Sequence, residues 1–360
     1  MQFAVLAVII AMLSVVTASA TTINGVGGTT ISAGGFSGVS ELSGLTYVGQ
    51  TATPGTYLYY AISDNASGEG ATPRAYGINV TLNMATGAIS AATVVSQLNL
   101  SVGYDLEGIA YKSGELFVSD ENATSPKVRK YDPTTGQLIT ELAVPSVFAN
   151  ARDNKGFESL TYGPNLWTAN EEALTVDGNI SLTSTGTIVR LLEYDSSLNP
   201  VGQWAYQTDT KGSNPFVSPD PSLCGVSDLV SLPDGTLLVL ERYLGLNYRT
   251  RIYQVNFTGA TDVSGLGALS GATYTKVAKT QLWSNSWGLG DSSYDYEGIC
   301  LGPRLNDGSW SMLMVADNSV GSTQRIYALK AGGIVPEPYG AFALLGGLLS
   351  LWGIKVRHCA

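Results

Sequence analysis

Short apolar runs, each followed by polar residues and a turn, recur along the central part of the chain. Residues 57–62 and 237–240 are typical, and they have the length and the aromatic or branched side chains of β-strands. Turn sequences separate the runs, as at 233–235 (Pro-Asp-Gly) and 306–308 (Asn-Asp-Gly), where glycine adopts the positive φ that tight turns require. No stretch between residues 21 and 334 shows sustained helical periodicity. The pattern predicts an all-β protein.

Five units share a motif at the start of their first strand, in which a residue that is apolar in four of the five is followed by a polar one and often by glycine. The polar residues are Ser43, Glu107, Glu158, Asp228 and Glu297. Successive copies are 51 to 70 residues apart, which is typical of propeller blades, whereas solenoid repeats are shorter and more uniform. The second strand of each unit ends in acidic or amide residues, and the third carries arginine and tyrosine close together.

The fifth unit lacks one strand, and the segment 22–31 can supply it. We therefore expect a β-propeller of five blades in which an N-terminal strand closes the last blade. Six blades remain an alternative if residues 255–290 form another one.

Both ends of the chain have the features of processing signals. Residues 3–16 are apolar and precede Ala18-Ser19-Ala20, a small-x-small triplet of the kind that signal peptidase accepts. Residues 335–338 (Val-Pro-Glu-Pro) precede the apolar stretch 341–354 and the basic residues Lys355 and Arg357. This layout resembles the PEP-CTERM sorting signal that bacterial exosortases remove, with a plain C-terminal anchor as the alternative. We expect an exported, extracellular or cell-surface domain over 21–334, attached to a membrane only through 335–360.

Composition excludes several classes of function. The net charge is −10 and only 13% of residues are charged, which argues against a nucleic-acid partner. The single histidine, His358, lies in the C-terminal segment, so the domain 21–334 contains no Ser-His-Asp triad and no histidine-ligated zinc. The domain keeps two cysteines, Cys224 and Cys300, and a disulfide between them remains open in an oxidising compartment.

Several motifs resemble those of the phytase-like β-propeller family, which is also described as having esterase-like activity. They lie at 105–110 (Asp-Leu-Glu-Gly-Ile-Ala), 154–160, 237–242, 296–299 and 315–318. The resemblance covers residues 36–330 and implies a propeller fold with a hydrolytic activity. Two copies depart from the pattern, since the first has Ser43 and the third has Glu158-Ser159 in place of Glu-Gly.

The first strand of each propeller blade lines the central channel, so the recurring acids Glu107, Glu158, Asp228 and Glu297 are expected to converge. Converging carboxylates raise one another's pKa and need compensation. A Ca²⁺ ion held by these four residues is one solution. Ion pairs with Lys155 and Arg242 are a second, and backbone N–H groups of adjoining blades are a third.

Two functions follow from these residues. In a metal-assisted hydrolase of small anionic esters, Glu158 or Glu107 takes a proton while Lys155 and Arg242 orient the substrate. Arg74 and Arg325 are further candidates for substrate contact. The alternative is a non-catalytic surface or matrix protein that binds carbohydrate through tryptophans: Trp167, Trp204, Trp283, Trp287 and Trp310.

Overall fold

The computed structural model describes residues 20–64, 72–121, 125–214, 216, 218, 222–246, 248–285, 294–318 and 323–334. The predicted processing signals lie outside these residues, except for Ala20. Over the described residues, no helix has the length and apolar character needed to cross a membrane.

Within the described residues, twenty strands form five antiparallel sheets of four strands each. Blade 1 is β2 (Leu42–Gln50), β3 (Thr56–Ser63), β4 (Arg74–Leu82) and β5 (Ile89–Asn99). Blade 2 is β6 (Leu106–Lys112), β7 (Glu115–Asp120), β8 (Lys127–Tyr131) and β9 (Leu138–Glu141). Blade 3 is β10 (Phe157–Tyr162), β11 (Leu166–Asn170), β12 (Ile188–Tyr194) and β13 (Pro200–Gln207). Blade 4 is β14 (Leu223–Ser231), β15 (Leu237–Leu244), β16 (Tyr248–Asn256) and β17 (Ala278–Ser284). Blade 5 is β18 (Tyr296–Arg304), β19 (Trp310–Ala316), β20 (Arg325–Gly332) and β1 (Thr22–Thr30).

The inner strands β2, β6, β10, β14 and β18 contact one another in a closed ring. Strand β1 pairs with β20 as the outermost strand of blade 5, with Ile23 opposite Ala331. The five-bladed propeller and its N-terminal closing strand are thus confirmed. The six-blade alternative is wrong, because β16 ends at Asn256 and β17 is the outer strand of the same blade.

The apolar core is divided among the five interfaces between neighbouring blades. Between blades 1 and 2, for example, Ile62 and Ala75 pack with Leu106 and Leu116. Because each blade is covered on both faces, the second strands consist of continuous apolar residues, and all of 237–240 is buried. Apolar burial at these interfaces holds the ring together.

The two cysteines of the domain are both free and buried. Cys300 lies in the core between blades 5 and 1, whereas the Sγ atom of Cys224 lies 3.8 Å from Oε2 of Glu241 in blade 4. The disulfide left open by the sequence is therefore not formed. Burial raises the pKa of both thiols, so neither is an activated nucleophile.

Candidate active site

One end of the propeller collects acidic side chains from the first two strands of the blades. The two strands are antiparallel, so each inner strand begins where the second strand ends. Leu106 pairs with Asp120, for instance, which places Glu107 and Glu121 side by side at this end. The same pairing brings together residues 158 and 171 in blade 3 and residues 297 and 317 in blade 5.

A β-bulge at the start of the inner strands determines which residue occupies the recurring position. In blade 3 the extra residue is Glu158, between the pairs Phe157↔Asn170 and Ser159↔Ala169. In blade 4 it is Ser227, because the flanking pairs are Val226↔Glu241 and Asp228↔Leu240. The equivalent residues, called here the inner positions, are Ser43, Glu107, Glu158, Ser227 and Glu297. The alignment of Asp228 with these glutamates was therefore wrong by one residue.

Asp228 instead links three inner strands. Its Oδ1 atom accepts hydrogen bonds from the backbone N–H groups of Leu229 at 2.8 Å and Leu160 at 3.3 Å, and its Oδ2 accepts one from Ile299 at 2.7 Å. These donors belong to blades 4, 3 and 5. Of the three compensations left open by the sequence, Asp228 shows the third, in which backbone N–H groups satisfy a buried carboxylate.

Nine carboxylates of the described residues form four overlapping groups of three, with one oxygen per residue within 4.8 Å of the others in each group. The central group is Glu107, Glu158 and Glu297. Each of its members also belongs to an outer group. The outer groups are Asp64–Asp105–Glu107, Glu121–Glu158–Glu171 and Asp295–Glu297–Asp317. We call these nine residues, with Arg242 and Lys155, the acidic basin.

Arg242 is the principal cation of the basin. The equivalent residues at this end of the second strands, called here the outer positions, are Asp64, Glu121, Glu171, Arg242 and Asp317. Blade 4 therefore supplies a guanidinium where the other blades supply carboxylates. Its Nη2 lies 2.8 Å from Glu171 and 3.7 Å from Glu158, and its Nη1 contacts Asp295 at 3.5 Å and pairs with Glu297.

Lys155 is the second cation, and its Nζ pairs with Glu171. Two of the outer groups thus contain an internal cation. The third does not, because none of Asp64, Asp105 and Glu107 has an ion pair with any described residue, although the hydroxyl of Ser43 donates to Glu107. The acids that blades 1 and 2 contribute to this group therefore have no cation beside them among the described residues.

Burial and mutual repulsion shift the ionisation of these acids. Burial, together with Asp105, raises the pKa of Asp64 to about 9. Burial and the charge of Glu171 raise the pKa of Glu158 to about 8, although Arg242 and Lys155 oppose the rise. Glu171 differs: burial acts against its charged form, but the two cations outweigh burial and lower its pKa. The basin therefore holds protons at neutral pH unless another cation replaces them.

Several oxygens in the basin are buried without a hydrogen-bond partner among the described residues. They are both carboxylate oxygens of Glu121 and the Oδ1 atoms of Asp64, Asp295 and Asp317. Glu121 is only 1% exposed. Buried unpaired oxygens are costly, and a set of carboxylate oxygens is the ligand type that hard divalent cations prefer. The residues of the basin thus have the chemistry to hold a metal ion.

Two glycines make room for the carboxylates. A Cβ at Gly156 would lie 2.2 Å from the carbonyl oxygen of Glu121, and one at Gly225 would lie 2.7 Å from Cγ of Glu171. Both distances are too short for any side chain. Blades 3 and 4 therefore carry glycine where blades 2 and 5 carry Asp105 and Asp295.

A family model described as "Phytase-like: Esterase-like activity of phytase" matches residues 37–319. The chain belongs to the phytase-like family. This membership supports a hydrolytic, esterase-like activity for the phytase-like protein. No curated protein sequence matches it.

Solved structures similar to this phytase-like protein share little sequence with it. They include hydrazine synthase of Kuenenia stuttgartiensis, with 11% identity over 73% of this chain and 66% of that one and a TM-score of 0.32. The tail fibre of Staphylococcus aureus phage P68 has 12% identity, 93% and 56% coverage and a TM-score of 0.39. The mannose phosphorylase MPT-4 of Leishmania mexicana has 9% identity, 84% and 87% coverage and a TM-score of 0.38. The chain spans about two thirds or less of the first two, and none of these similarities informs function.

The predicted substrate-binding arginines of the phytase-like protein make local contacts. Arg74 donates to the carbonyl of Gly38 at 3.0 Å and lies over the ring of Tyr76, and Arg325 lies 4.5 Å from the ring centroid of Tyr294. These contacts are of the packing type, and the role of both arginines in substrate binding stays a prediction.

Four of the five tryptophans predicted for carbohydrate stacking contact other side chains, and their role in carbohydrate binding stays a prediction. Trp167, Trp204 and Phe257 form one aromatic cluster, with ring centroids 5.3 Å apart in each pair. Trp283 packs on Tyr327, Trp310 lies against Arg304, and Trp287 falls outside the described residues.

Three residues at this end of the propeller, two of them in the basin, were not predicted from the sequence. Asp105 and Asp295 each precede an inner glutamate by two residues, so the spacing Asp-x-Glu at 105–107 and 295–297 was the available signal. The third, Ser227, required the register of the bulge. Asp120, the last residue of the second strand of blade 2, pairs with Arg129 and accepts the N–H of Tyr104.

Proposed function

We propose that this phytase-like protein is a metal-assisted hydrolase of small phosphate or carboxylate esters, with the acidic basin as its active site. The observation that carries the proposal is the buried, unpaired carboxylate of Glu121 beside Glu158 and Glu171. Two internal cations accompany nine carboxylates, so the basin is built to receive further positive charge.

We place the cation on the side of blades 1 and 2, where Asp64, Asp105 and Glu107 have no ion-pair partner among the described residues. Glu121, in the same part of the basin, adds two unpaired oxygens. We propose Ca²⁺, because it accepts six to eight oxygen ligands in flexible geometry. When bound, such an ion neutralises the ester oxygens and lowers the pKa of a nearby water.

Glu158 is our candidate for the general base. Its pKa is raised to about 8, which lies close to the pH at which proton transfer is most efficient. Arg242 and Lys155 both bind Glu171, so we assign them mainly to holding the carboxylates in place. A substrate oxygen that displaces Glu171 from either cation would then be oriented next to Glu158. Glu107, which accepts from Ser43, belongs to the cation ligands in this arrangement.

The test is hydrolysis of phytate, of a simple phosphate monoester and of a short-chain carboxylate ester by the purified protein. Turnover is measured with Ca²⁺ and again after chelation. We expect activity that requires Ca²⁺ and falls at least 100-fold in Glu158→Gln, the scale of a general base. Glu141→Gln is the matched control, since Glu141 pairs with Arg129 on the outer strand of blade 2.

Absence of turnover with every ester would overturn the hydrolase assignment and favour the non-catalytic surface protein. Activity that survives chelation unchanged would show that the reaction needs no metal. The role of Glu158 would then depend on the Glu158→Gln result alone.

We also propose that the domain is exported and works outside the cytoplasm, on the strength of the two terminal signals. The N-terminal sequence of the protein recovered from culture medium or from the cell surface tests this. A mature chain that begins at Thr21 is expected, and an uncleaved chain retained in the cytoplasm would contradict the proposal.

A further inference from the structure

The geometry points to a second binding site at the opposite end of the propeller axis, one that receives a neutral sugar unit and is independent of the acidic basin. This site is a cavity of about 680 Å³ that all five inner strands line. Its volume lies within the range typical of small-ligand sites.

A constriction separates the cavity from the basin. The residue after each inner position is Gly44, Gly108, Ser159, Asp228 or Gly298. A Cβ at Gly44 would lie 2.4 Å from the carbonyl oxygen of Glu107, and one at Gly108 would lie 2.4 Å from the backbone nitrogen of Leu160. The backbones of the inner strands therefore touch at this level, and Asp228 ties three of them together. A ligand in the cavity cannot reach Glu158 through the axis.

The two ends differ in charge. No aspartate or glutamate lines the cavity among the described residues, and its single cation is Lys112. The ammonium of Lys112 donates to the carbonyl of Gly163 and lies 4.2 Å from the ring centroid of Tyr162. Because these partners already engage Lys112, the cavity has no strong preference for an anion, which favours an uncharged ligand.

Three tyrosines occupy the same position in three consecutive blades and line the cavity. Tyr47, Tyr111 and Tyr162 each lie four residues beyond an inner position, and blades 4 and 5 have Ser231 and Leu301 there. Each ring is braced by an aromatic residue of a second strand: Tyr47 by Tyr59 at 5.4 Å, Tyr111 by Tyr60 at 5.9 Å and Tyr162 by Phe117 at 5.4 Å.

These tyrosines present a fixed aromatic wall with polar tips. The edge-to-face packing limits ring motion, so little side-chain entropy remains to be lost on binding. Their hydroxyl groups make no hydrogen bond to another described residue, which leaves them available to a ligand. A ligand with an apolar face and a rim of hydroxyl groups, such as a pyranose, matches a cavity lined by tyrosines and by aliphatic residues such as Leu45 and Leu301.

The experiment is calorimetric titration of the purified protein with maltose, cellobiose and lactose, in buffer with chelator so that the basin does not contribute. We expect at least one disaccharide to bind, its affinity to fall at least tenfold in Tyr111→Ala, and a smaller loss in Tyr111→Phe, which keeps the ring packed on Tyr60. Tyr104→Ala is the control, because Tyr104 is exposed beside Asp105 at the acidic end and should leave binding unchanged.

Lack of binding by all three sugars, or binding that Tyr111→Ala and Tyr111→Phe leave intact, would overturn the site. Melting temperatures of the variants separate loss of binding from loss of folding, and Tyr111→Phe keeps the test informative if Tyr111→Ala is unstable. Ester hydrolysis is assayed separately. Absence of sugar binding would therefore leave the proposed hydrolase activity unaffected, and absence of hydrolysis would leave the sugar site unaffected.

Discussion

The Nη2 atom of Arg242 lies 2.8 Å from Oε1 of Glu171, and the two residues hold the same position in neighbouring blades. A pseudo-symmetric ring that would otherwise be entirely acidic therefore contains one fixed positive charge. The guanidinium is only 15% exposed and reaches carboxylates of blades 3 and 5. Arg242 compensates the carboxylates on one side of the basin, and we propose that a metal ion compensates those on the other side.

Replacement of Arg242 should show whether a metal ion can take over the charge compensation that its guanidinium provides. In metal-free buffer Arg242→Met leaves buried carboxylates without their cation, and we expect the free energy of unfolding to fall by about 3–5 kcal/mol. Saturating Ca²⁺ should restore more stability to the variant than it adds to the wild type, which thermal unfolding with and without Ca²⁺ measures. Arg251→Met, which breaks the pair with Asp209 outside the basin, should show no such recovery. Equal losses for Arg242→Met in both buffers would contradict the interpretation.

Glu121 should govern cation affinity rather than folding. Glu121→Gln keeps the shape of a buried side chain whose two oxygens have no partner among the described residues. We expect Ca²⁺ binding, followed by calorimetry, to weaken about tenfold, equivalent to ~1.4 kcal/mol, while metal-free stability holds or rises because a buried carboxyl group is removed. The control is Glu115→Gln, whose side chain pairs with Lys130 away from the basin. Undiminished affinity would remove Glu121 from the proposed ligands.

The shifted register in blade 4 predicts opposite effects at adjacent residues. Asp228→Asn replaces one acceptor oxygen by an NH₂ group that faces backbone donors, and we expect a loss of about 2–4 kcal/mol in chemical denaturation. Ser227→Ala removes a buried hydroxyl that has no partner among the described residues, so stability should change little. A large loss of stability in Ser227→Ala together with little change in Asp228→Asn would show that the register is incorrect.

Stability of the metal-free protein should fall as pH rises. The folded-state pKa of Asp64 is about 9 and that of Glu158 about 8, against about 4 in an unfolded chain. Between these values the folded state binds more protons than the unfolded state, so the free energy of unfolding decreases with pH. Melting temperatures from pH 5 to 9 should therefore drop by several degrees with chelator and much less with Ca²⁺, which replaces the protons. A rise with pH under chelation would contradict the assignment.

Much of the fold was predictable because its determinants are local. Apolar runs, turn residues and the spacing of the repeats are properties of consecutive residues, and they led to five blades and a closing strand at 22–31, which the structure confirms as β1. The convergence of Glu107, Glu158 and Glu297 also followed from the repeat, since equivalent positions of a propeller lie around one axis.

The composition of the basin depended on contacts between distant segments. Asp105 and Asp295 each stand two residues before an inner glutamate, but only the strand pairings showed that they lie beside Asp64 and Asp317. The bulge in blade 4 places Ser227, and not Asp228, at the inner position. No sequence signal marks this extra residue, because a bulge is defined by the pairing with the neighbouring strand.

The sequence by itself determined that this protein is a closed all-β ring with acids repeated at one end, because hydrophobic periodicity and repeat spacing are patterns of consecutive residues. Only the tertiary structure decided which acids meet, that Arg242 lies among four of them, and that Asp228 binds backbone instead of facing the basin. The physical reason is that charge compensation and hydrogen-bond satisfaction depend on distances of a few ångströms between residues about 70 positions apart.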